Sequence, residues 1–314
     1  MIYVKGFAVS STSSAKGQFA TGFFCAILSF SLWGIFPLYW KRLIAVDPLH
    51  ILAFRILLSL VLVSVILFIQ KKYAWLTLFK DPKKACFLVL TAITISCNWG
   101  LYIWAVNNGH TIAASLGYYI NPLVSIVFGL IFFRERLRAL QWAAVIIALA
   151  GVVILTVLSG KLPWISLALA FSFGFYGLLK KKVSLSALES LGAETLVSAP
   201  IGIMLLSFSF GNSGAIVFTG LPGAGYLFDL PVHTLMWFSL AGLVTMLPLY
   251  FFARGAKLLP LSALGFIQFI SPTINIILGL FVFGETFTVH YFVAFSFIWV
   301  AVILYIISLK WYDR

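Results

Sequence analysis

Charged residues are scarce in this chain. Only 9% of its 314 residues are charged and 62% are hydrophobic, whereas soluble domains carry about 25% charged residues. A chain of this kind cannot bury its apolar surface in one soluble core, so we expect lipid to surround most of it. Acidic residues are the rarest, with eight Asp and Glu against 21 Lys and Arg and a net charge of +13. The basic residues lie in short clusters between apolar runs, which is the pattern of a multi-pass membrane protein rather than of a nucleic-acid-binding face.

Residues that could carry enzymatic chemistry are also few. The cysteines are Cys25, Cys86 and Cys97, and the histidines are His50, His110, His233 and His290. The cysteines are odd in number and lie in or beside apolar runs, so they indicate neither a disulfide framework nor a metal site. No nucleophile elbow, dinucleotide loop or phosphate-binding loop is present. We therefore expect no catalytic residue, no metal and no cofactor.

Ten apolar segments have the length of a membrane span, taking about 20 residues as the ruler. They cover roughly 18–40, 49–70, 85–106, 111–133, 139–159, 162–179, 185–207, 234–253, 260–283 and 289–309. The only sizeable loop, 211–231, is interpreted as a connector, with a re-entrant cap as the alternative.

The distribution of Lys and Arg between the spans predicts the orientation of the chain. Seventeen of these residues fall on the side that holds both termini, and only Lys41, Arg42 and Lys161 fall on the other. This bias predicts that both termini are cytoplasmic and that the protein is in the cytoplasmic (inner) membrane.

An internal repeat predicts the architecture. Pro122 recurs as Pro272, and Glu135 recurs as Glu285, both after 150 residues; the glycines at 129 and 279 follow the same offset. Five spans per half require the halves to enter the membrane in opposite directions. The predicted fold is an all-α integral membrane protein with two inverted five-helix repeats, 18–159 and 160–314, after a cytoplasmic tail at 1–17.

Arg55 and Glu194 lie well inside predicted spans, where a charge costs roughly 2.5–3.5 kcal/mol and therefore indicates a pathway or a pair. Glu189 lies nearer the end of its span. Arg55 either faces a cavity and holds an anionic solute group or carboxylate, or extends to the outer headgroups. Glu194 lies about nine residues into its span and must be protonated, paired or hydrated. Because Phe54 and Arg55 match Glu194 and Thr195 in the repeat, Arg55 and Glu194 are candidates for a charge pair or a proton site.

Uncharged polar and aromatic residues complete the candidate solute-binding set. They are Asn98, Tyr102, Asn107, Tyr118, Asn121, Gln268, Asn275 and Trp33. Polar groups in lipid either line a cavity or join helices by hydrogen bonds, and both alternatives stay open here. Pro122 and Pro272 remove helix hydrogen bonds and free the carbonyls of Tyr118 and Gln268, so they are candidate hinges, with static kinks as the alternative.

Several long motifs resemble those of a known group of transporters. They include SLGYYINPLV at 115–124, NWGLYIWAVNNGH at 98–110, LYWKRL at 38–43, SFGFYGLLKKK at 172–182, GFIQFISPT at 265–273 and FGE at 283–285. This set resembles the RarD group of the EamA family, in the drug/metabolite transporter superfamily. The resemblance implies two five-helix repeats, a central cavity and transport by alternating access.

The sequence therefore predicts a secondary transporter of small metabolites or drug-like solutes. Its expected partners are a small-molecule solute, membrane lipids and protons as a candidate coupling ion, with no nucleic acid and no oligomeric state assigned. The alternatives are a non-transporting scaffold or receptor and a membrane-embedded enzyme acting on lipids.

Overall fold

The computed structural model describes residues 12–77, 81–107, 110–158, 164–183, 185–210, 216–218, 229–284 and 289–310. Its principal helices are α1 (Thr12–Trp40), α2 (Pro48–Ile69), α3 (Ala74–Thr77), α4 (Pro82–Asn107), α5 (Thr111–Phe132), α6 (Ala139–Leu158), α7 (Trp164–Lys182), α8 (Ala187–Leu205), α9 (Val232–Ser239), α10 (Ala241–Leu258), α11 (Leu261–Gln268), α12 (Ile270–Phe281) and α13 (Val289–Lys310). A one-turn 3-10 helix, Lys41–Leu43, continues α1. The fold is therefore almost entirely helical, as predicted.

Each predicted span corresponds to one helix or to two helices that continue each other. The helix α9 continues into α10 through Leu240, and α11 continues into α12 through Phe269. Within the described residues, nine segments are long and apolar enough to cross a membrane. The tenth segment, α7, ends in Lys180, Lys181 and Lys182, which lower its mean hydropathy. The chain is thus an all-α integral membrane protein.

The predicted connector at 211–231 contributes a small exception to the helical fold. The strands β1 (Phe208–Phe210) and β2 (Ile216–Phe218) pair antiparallel, with Ser209 opposite Val217. The remainder of that loop up to residue 228 lies outside the described residues. Within the described residues, this region therefore forms one short antiparallel strand pair.

Helices from the two halves of the chain interleave. The main contacts join α6 with α13, α5 with α7 and α11, α1 with α10 and α12, α2 with α8 and α10, and α4 with α7 and α8. Small residues allow close approach at these crossings: a Cβ on Gly242 would lie 2.7 Å from the backbone carbon of Leu58, and one on Gly151 would lie 2.8 Å from the carbonyl oxygen of Ala294. Small residues are the usual means by which helices associate in lipid.

The bundle has two chemically different ends. We call the end that holds the α7–α8 and α10–α11 connections the basic end, because the lysines at the C-terminus of α7 and the arginines after α5 lie there. Hydrogen bonds across the helices are few and specific: Ser29 Oγ donates to the carbonyl of Pro248 at 2.8 Å, and Ser59 Oγ donates to that of Gly242 at 3.0 Å. The opposite end holds the C-termini of α1 and α4.

Two positive-φ positions in the backbone have the same spacing as the matched prolines. Among the described residues, positive φ occurs at Lys71, at Arg134 (φ 50°) and at Gly284 (φ 67°). Arg134 and Gly284 are 150 residues apart, the same offset as Pro122 and Pro272. Both copies therefore turn through the left-handed region directly before their matched glutamates.

Candidate functional site

Arg55 is held inside the bundle in the second turn of α2. The helix begins at Pro48, where the Asp47 carboxylate accepts a hydrogen bond from the Leu49 amide at 2.8 Å. The Nε atom of Arg55 donates to the Thr245 hydroxyl on α10 at 2.9 Å. This contact fixes one edge of the guanidinium and leaves its other four N–H groups for other partners.

Two tryptophans hold the guanidinium plane. The carbon at the centre of the Arg55 guanidinium lies 4.9 Å from the Trp40 ring centre and 4.7 Å from that of Trp99. Such cation–π contacts stabilise a cation without neutralising it. The predicted alternative in which Arg55 extends to the headgroups does not fit this geometry, since α1, α4 and α10 all contact the side chain.

Tyrosines form the remaining surroundings of Arg55. The groups that act on it electrostatically are Tyr118, Tyr39 and Tyr102, and no carboxylate is among them. Tyr39 is buried and donates its hydroxyl to the carbonyl of Trp237 at 2.8 Å. In the described part of the chain, the Arg55 charge therefore has no acidic partner.

Tyr102 and Tyr118 lie beside Arg55. Their rings meet edge to face with centroids 5.6 Å apart. They are 36% and 40% exposed, and both are close enough to act electrostatically on Arg55. The structure therefore places two predicted site residues, each with an exposed surface, next to Arg55.

Trp33 lies in an aromatic cluster towards the basic end. Its ring centroid is 5.5 Å from Phe30, 5.5 Å from Phe173 and 5.6 Å from Phe252. Tyr176 stacks on Phe252 at 5.6 Å with an interplanar angle of 12°. We call these five rings the aromatic cluster. Trp33 is thus a packing residue of the cluster, which joins α1, α7 and α10.

Glu194 pairs with Lys180, which lies just beyond the predicted span 162–179. Glu194 Oε1 lies 2.7 Å from Lys180 Nζ, and the side chains are 4% and 0% exposed. The Ser190 hydroxyl donates to Glu194 at 3.0 Å, and the Tyr176 hydroxyl contacts it at 3.3 Å. Of the two alternatives for Arg55 and Glu194, the charge pair between them is not formed, because Glu194 pairs with Lys180 and Arg55 is surrounded by tyrosines and tryptophans. The proton-site alternative stays a prediction.

The sequence contains a signal that would have located Lys180. Tyr176 and Lys180 are four residues apart on α7, and Ser190 and Glu194 are four residues apart on α8. Residues at this spacing share one face of a helix. These two polar pairs could have predicted that α7 and α8 bring Lys180 and Glu194 together. Lys180 was instead counted with the basic residues between the spans.

The remaining polar candidates have different roles. Asn98 donates its amide to the Leu169 carbonyl at 3.0 Å and to the Ser172 hydroxyl at 2.8 Å, so it joins α4 to α7. Gln268 is buried at the end of α11. Asn107 ends α4, and its side chain is outside the described set.

Two asparagines remain unsatisfied. The side-chain oxygens of Asn121 and Asn275 are buried without a hydrogen-bond partner among the described residues. Each lies near one of the matched prolines, on α5 and α12 respectively. A buried unpaired acceptor is costly, so these positions suit a polar ligand or a helix rearrangement.

The matched prolines are not equivalent in the structure. Pro122 lies within the continuous helix α5, and its carbonyl oxygen would be 2.7 Å from a Cβ on Gly265. Pro272 follows the interruption at Phe269, where α11 gives way to α12. The predicted break at the Gln268 carbonyl is present in the second copy, while the first copy is helical throughout.

Glu135 closes the basic end between the two halves. Its carboxylate accepts hydrogen bonds from the Leu261 amide at 2.6 Å and from the Ser262 amide and hydroxyl at 2.9 and 2.6 Å. It thereby caps the N-terminus of α11, where a negative charge is favoured. Lys181 contributes a contact with the Leu259 carbonyl. The repeat-matched Glu285 lies outside the described residues.

The opposite end is more open. Among the described residues, α5 contacts α11 extensively but has no comparable contact with α12. The repeat-matched side chains follow this difference, since Tyr118 is 40% exposed and Gln268 is 5% exposed. The described helices are therefore packed more closely at the basic end than at the end that holds Arg55.

Comparison with known proteins gives matches over nearly the whole chain. Residues 20–157 match the EamA-like transporter family. An uncharacterized transporter, YojE of Bacillus subtilis, is 45% identical over 289 residues, which cover 90% of this chain and 93% of that protein. Protein RarD of Escherichia coli is 38% identical over 298 residues, covering 95% and 97% respectively. A solved crystal structure shares the fold with a TM-score of 0.69 at 18% identity, covering 97% of this chain and all of that one.

Proposed function

We propose that this chain, which belongs to the RarD group of the EamA-like transporter family and is a membrane transporter, carries small organic anions. The proposed mechanism is alternating access. The proposed substrates are small metabolites or drug-like solutes that have a carboxylate or a comparable anionic group. Transport is proposed to be secondary, across the cytoplasmic membrane.

The charge of Arg55, which has no acidic partner among the described residues, is the observation that carries this proposal. A cation inside a membrane protein normally has a hydrogen-bonded counter-ion, because leaving a charge unpaired is costly. In the described part of the chain, the groups around Arg55 are tryptophan, tyrosine and threonine side chains. The missing carboxylate would then come from the solute, which the free edge of the guanidinium can bind by two parallel hydrogen bonds.

The aromatic walls favour a solute with a planar or apolar body. Trp40 and Trp99 hold the guanidinium in one orientation, and Tyr102 and Tyr118 present ring surface and hydroxyl groups to the adjoining space. An amphipathic anion would place its charge at Arg55 and its body along these rings. A small hydrated inorganic anion would use only the first of these contacts.

Two inverted repeats are supported by the helix contacts. If α1, α2, α4, α5 and α6 correspond in order to α7, α8, α9–α10, α11–α12 and α13, then the contacts of α2 with α8, α5 with α11 and α6 with α13 map onto themselves. The contact of α1 with α10 corresponds to that of α7 with α4, and the contact of α1 with α12 corresponds to that of α7 with α5. The contact of α2 with α10 corresponds to that of α8 with α4. This supports the proposed repeat boundaries 18–159 and 160–314. The tail proposed at 1–17 overlaps the beginning of α1 at Thr12.

Alternating access is supported by the difference between the two ends. The Glu135 cap and the aromatic cluster close the basic end, while α5 and α12 stay apart at the other. In the proposed cycle, the Pro122 and Pro272 regions allow α5 and α12 to approach as α5 and α11 separate. The excess of basic residues at one end supports a cytoplasmic location for both termini.

Protons are the proposed coupling ion, with Glu194 as their site. Its carboxylate is buried and already surrounded by two hydroxyl groups and Lys180, so protonation would weaken the pair that joins α7 to α8. An imposed proton gradient should therefore change the rate of solute uptake. Uptake by the Glu194→Gln variant should no longer respond to that gradient.

Counterflow in proteoliposomes tests the proposal directly. Liposomes are preloaded with aromatic or aliphatic carboxylates, with matched amines or with neutral amides, and exchange is measured. We expect exchange of carboxylates and a reduction of about 10- to 100-fold in Arg55→Gln, since a hydrogen bond to a charged group contributes about 1.5–3 kcal/mol.

Arg42→Gln is the matched control, because Arg42 is exposed and lies at the same end of the bundle. Equal exchange of a carboxylate by wild type and Arg55→Gln would refute the assigned site. Exchange of amines but not of carboxylates would refute the substrate class. If no solute of any class moves, the scaffold alternative gains.

A further inference from the structure

A second cavity lies at the basic end, away from Arg55. Its volume is about 730 Å³, and it is bounded by the beginning of α1, the C-terminal end of α2, the first turn of α8 and the last turns of α10. A space of this size is within the range of ligand pockets. Its polar lining includes Lys72, Arg254, Lys257, Gln18, Thr21 and Tyr250.

Three of these side chains are cationic and lie on different elements. Lys72 follows α2 and is exposed, whereas Arg254 and Lys257 lie near the C-terminus of α10. Arg254 Nη1 donates to the Tyr250 hydroxyl at 3.4 Å. Two of the cations therefore lie on α10 and the third lies in the turn after α2, so positive charge reaches the cavity from two different elements.

The nearby carboxylates are already used. Lys257 is influenced electrostatically by Lys180, Glu189 and Glu194. Glu194 is paired with Lys180. Glu189 forms a capping box with Ser186, in which each side chain bonds the other residue's backbone amide. The cavity therefore has an excess of positive charge. The proposed site depends on these cations and not on the N-terminus of α8, which is already capped by Ser186 and Glu189.

We propose that this basic cavity binds a phosphate group. The side chains at its mouth are Lys72 and Arg254, which are exposed, while Lys257 is half-buried. The cavity opens where the helices end, which is the depth of lipid headgroups in a bilayer. Basic pockets between membrane helices bind anionic headgroups by this chemistry. A phosphatidylglycerol headgroup and a soluble phosphate are the two sources, and neither requires the transport proposal to be correct.

Thermal unfolding of the delipidated full chain in detergent tests this site. One titration adds dioleoyl-phosphatidylglycerol, with dioleoyl-phosphatidylcholine as the neutral lipid, and another adds sodium pyrophosphate. We expect phosphatidylglycerol to raise the unfolding midpoint and phosphatidylcholine to have no such effect. In the triple variant Lys72→Gln, Arg254→Gln, Lys257→Gln, half-saturation should need at least about tenfold more phosphatidylglycerol.

The matched control is the triple variant Lys83→Gln, Arg136→Gln, Lys182→Gln. These residues are exposed at the same end and lie outside the cavity. Their substitution removes three positive charges, the same number as in the cavity variant. The control should change half-saturation by less than about twofold if the cavity is the site. An equal loss in both triple variants would overturn the proposal, since it would indicate a general effect of charge.

The two titrations separate the sources of the phosphate. A response to phosphatidylglycerol alone assigns a headgroup site, and a response to pyrophosphate as well assigns a site for soluble phosphate. If the cavity triple variant fails to fold, Lys257→Gln alone and native mass spectrometry of lipid bound to wild type replace it. Equal retention of phosphatidylglycerol and phosphatidylcholine by wild type would overturn the proposal.

Discussion

The buried pair of Lys180 and Glu194 makes a sharp prediction about stability. The two atoms are 2.7 Å apart, and neither side chain is more than 4% exposed. Removing one partner of such a pair leaves an unpaired buried charge and typically costs about 3–5 kcal/mol. Removing both charges together is often close to neutral. We therefore expect the two single variants to be far less stable than the double variant.

The variants follow from the local contacts. Lys180→Met keeps the length of the side chain, and Glu194→Gln keeps its shape and an oxygen that can accept from Ser190 and Tyr176. We expect Lys180→Met to lower the free energy of unfolding by about 3–5 kcal/mol. The loss in Glu194→Gln should be smaller, because Lys180 keeps a hydrogen bond to Ser190 at 2.9 Å.

A double-mutant cycle measures the coupling. Unfolding is followed by tryptophan fluorescence in mixed micelles of dodecylmaltoside and sodium dodecyl sulfate at fixed total detergent. The coupling energy between the two sites should be about 3 kcal/mol or more, because each single variant is destabilised while the double variant stays close to wild type. Additive losses, or a Lys180→Met variant within about 1 kcal/mol of wild type, would show that the pair is not buried and bonded as described.

Three further predictions concern single positions. Gly242→Ala should lower the free energy of unfolding by about 1–3 kcal/mol through overpacking against the backbone of α2, whereas Gly100→Ala, which meets no atom within 4 Å, should be neutral or stabilising; both are measured by the same fluorescence assay. Glu135→Gln should cost about 1–2 kcal/mol and increase the labelling of a cysteine placed at Ser262, because the amide caps α11 more weakly than the carboxylate; unchanged labelling would contradict this role. Arg134→Gly should stabilise by about 1 kcal/mol or less by relieving the positive φ of 50°, and a loss of stability would contradict the strain argument.

Periodic and compositional features were predictable from the sequence. Lipid allows only a few ways to satisfy the backbone, so apolar length located the helical segments, although α1 begins six residues before its predicted span and α10 ends five residues after its own. The cost of a charge in a span identified Arg55 and Glu194 without any structure. Pro272 correctly indicated a helix break near Gln268. The same reasoning predicted a disruption at Pro122, but α5 is continuous there.

Partners in the site were not predictable in the same way. The tryptophans around Arg55 come from the end of α1 and the middle of α4, which only the tertiary packing brings together. Lys180 was missed because charge counting treats consecutive lysines as one loop cluster, whereas the helix continues through them to Lys182. Side-chain direction within the last turn decided which lysine entered the core.

The repeat gives a reason why the two charged sites differ. At the offset of 140 that aligns Gly34 with Gly174, Arg55 corresponds to Thr195, Phe54 to Glu194 and Trp40 to Lys180. The side chains around Arg55 thus lie on α1–α2 at positions that match those of the Lys180–Glu194 pair on α7–α8. One position holds a cation between aromatic rings, and the other holds a cation with its own carboxylate.

This difference has a consequence for the proposed cycle. If the halves exchange conformations, the matched position on α7–α8 becomes the accessible one, but its cation is already neutralised by Glu194. Among the described residues, a solute carboxylate leaving Arg55 therefore meets no unpaired cation at that matched position, as long as Glu194 keeps its charge. Release at the basic end is then favoured over recapture, because the protein's own carboxylate occupies the position that the solute's carboxylate takes at Arg55.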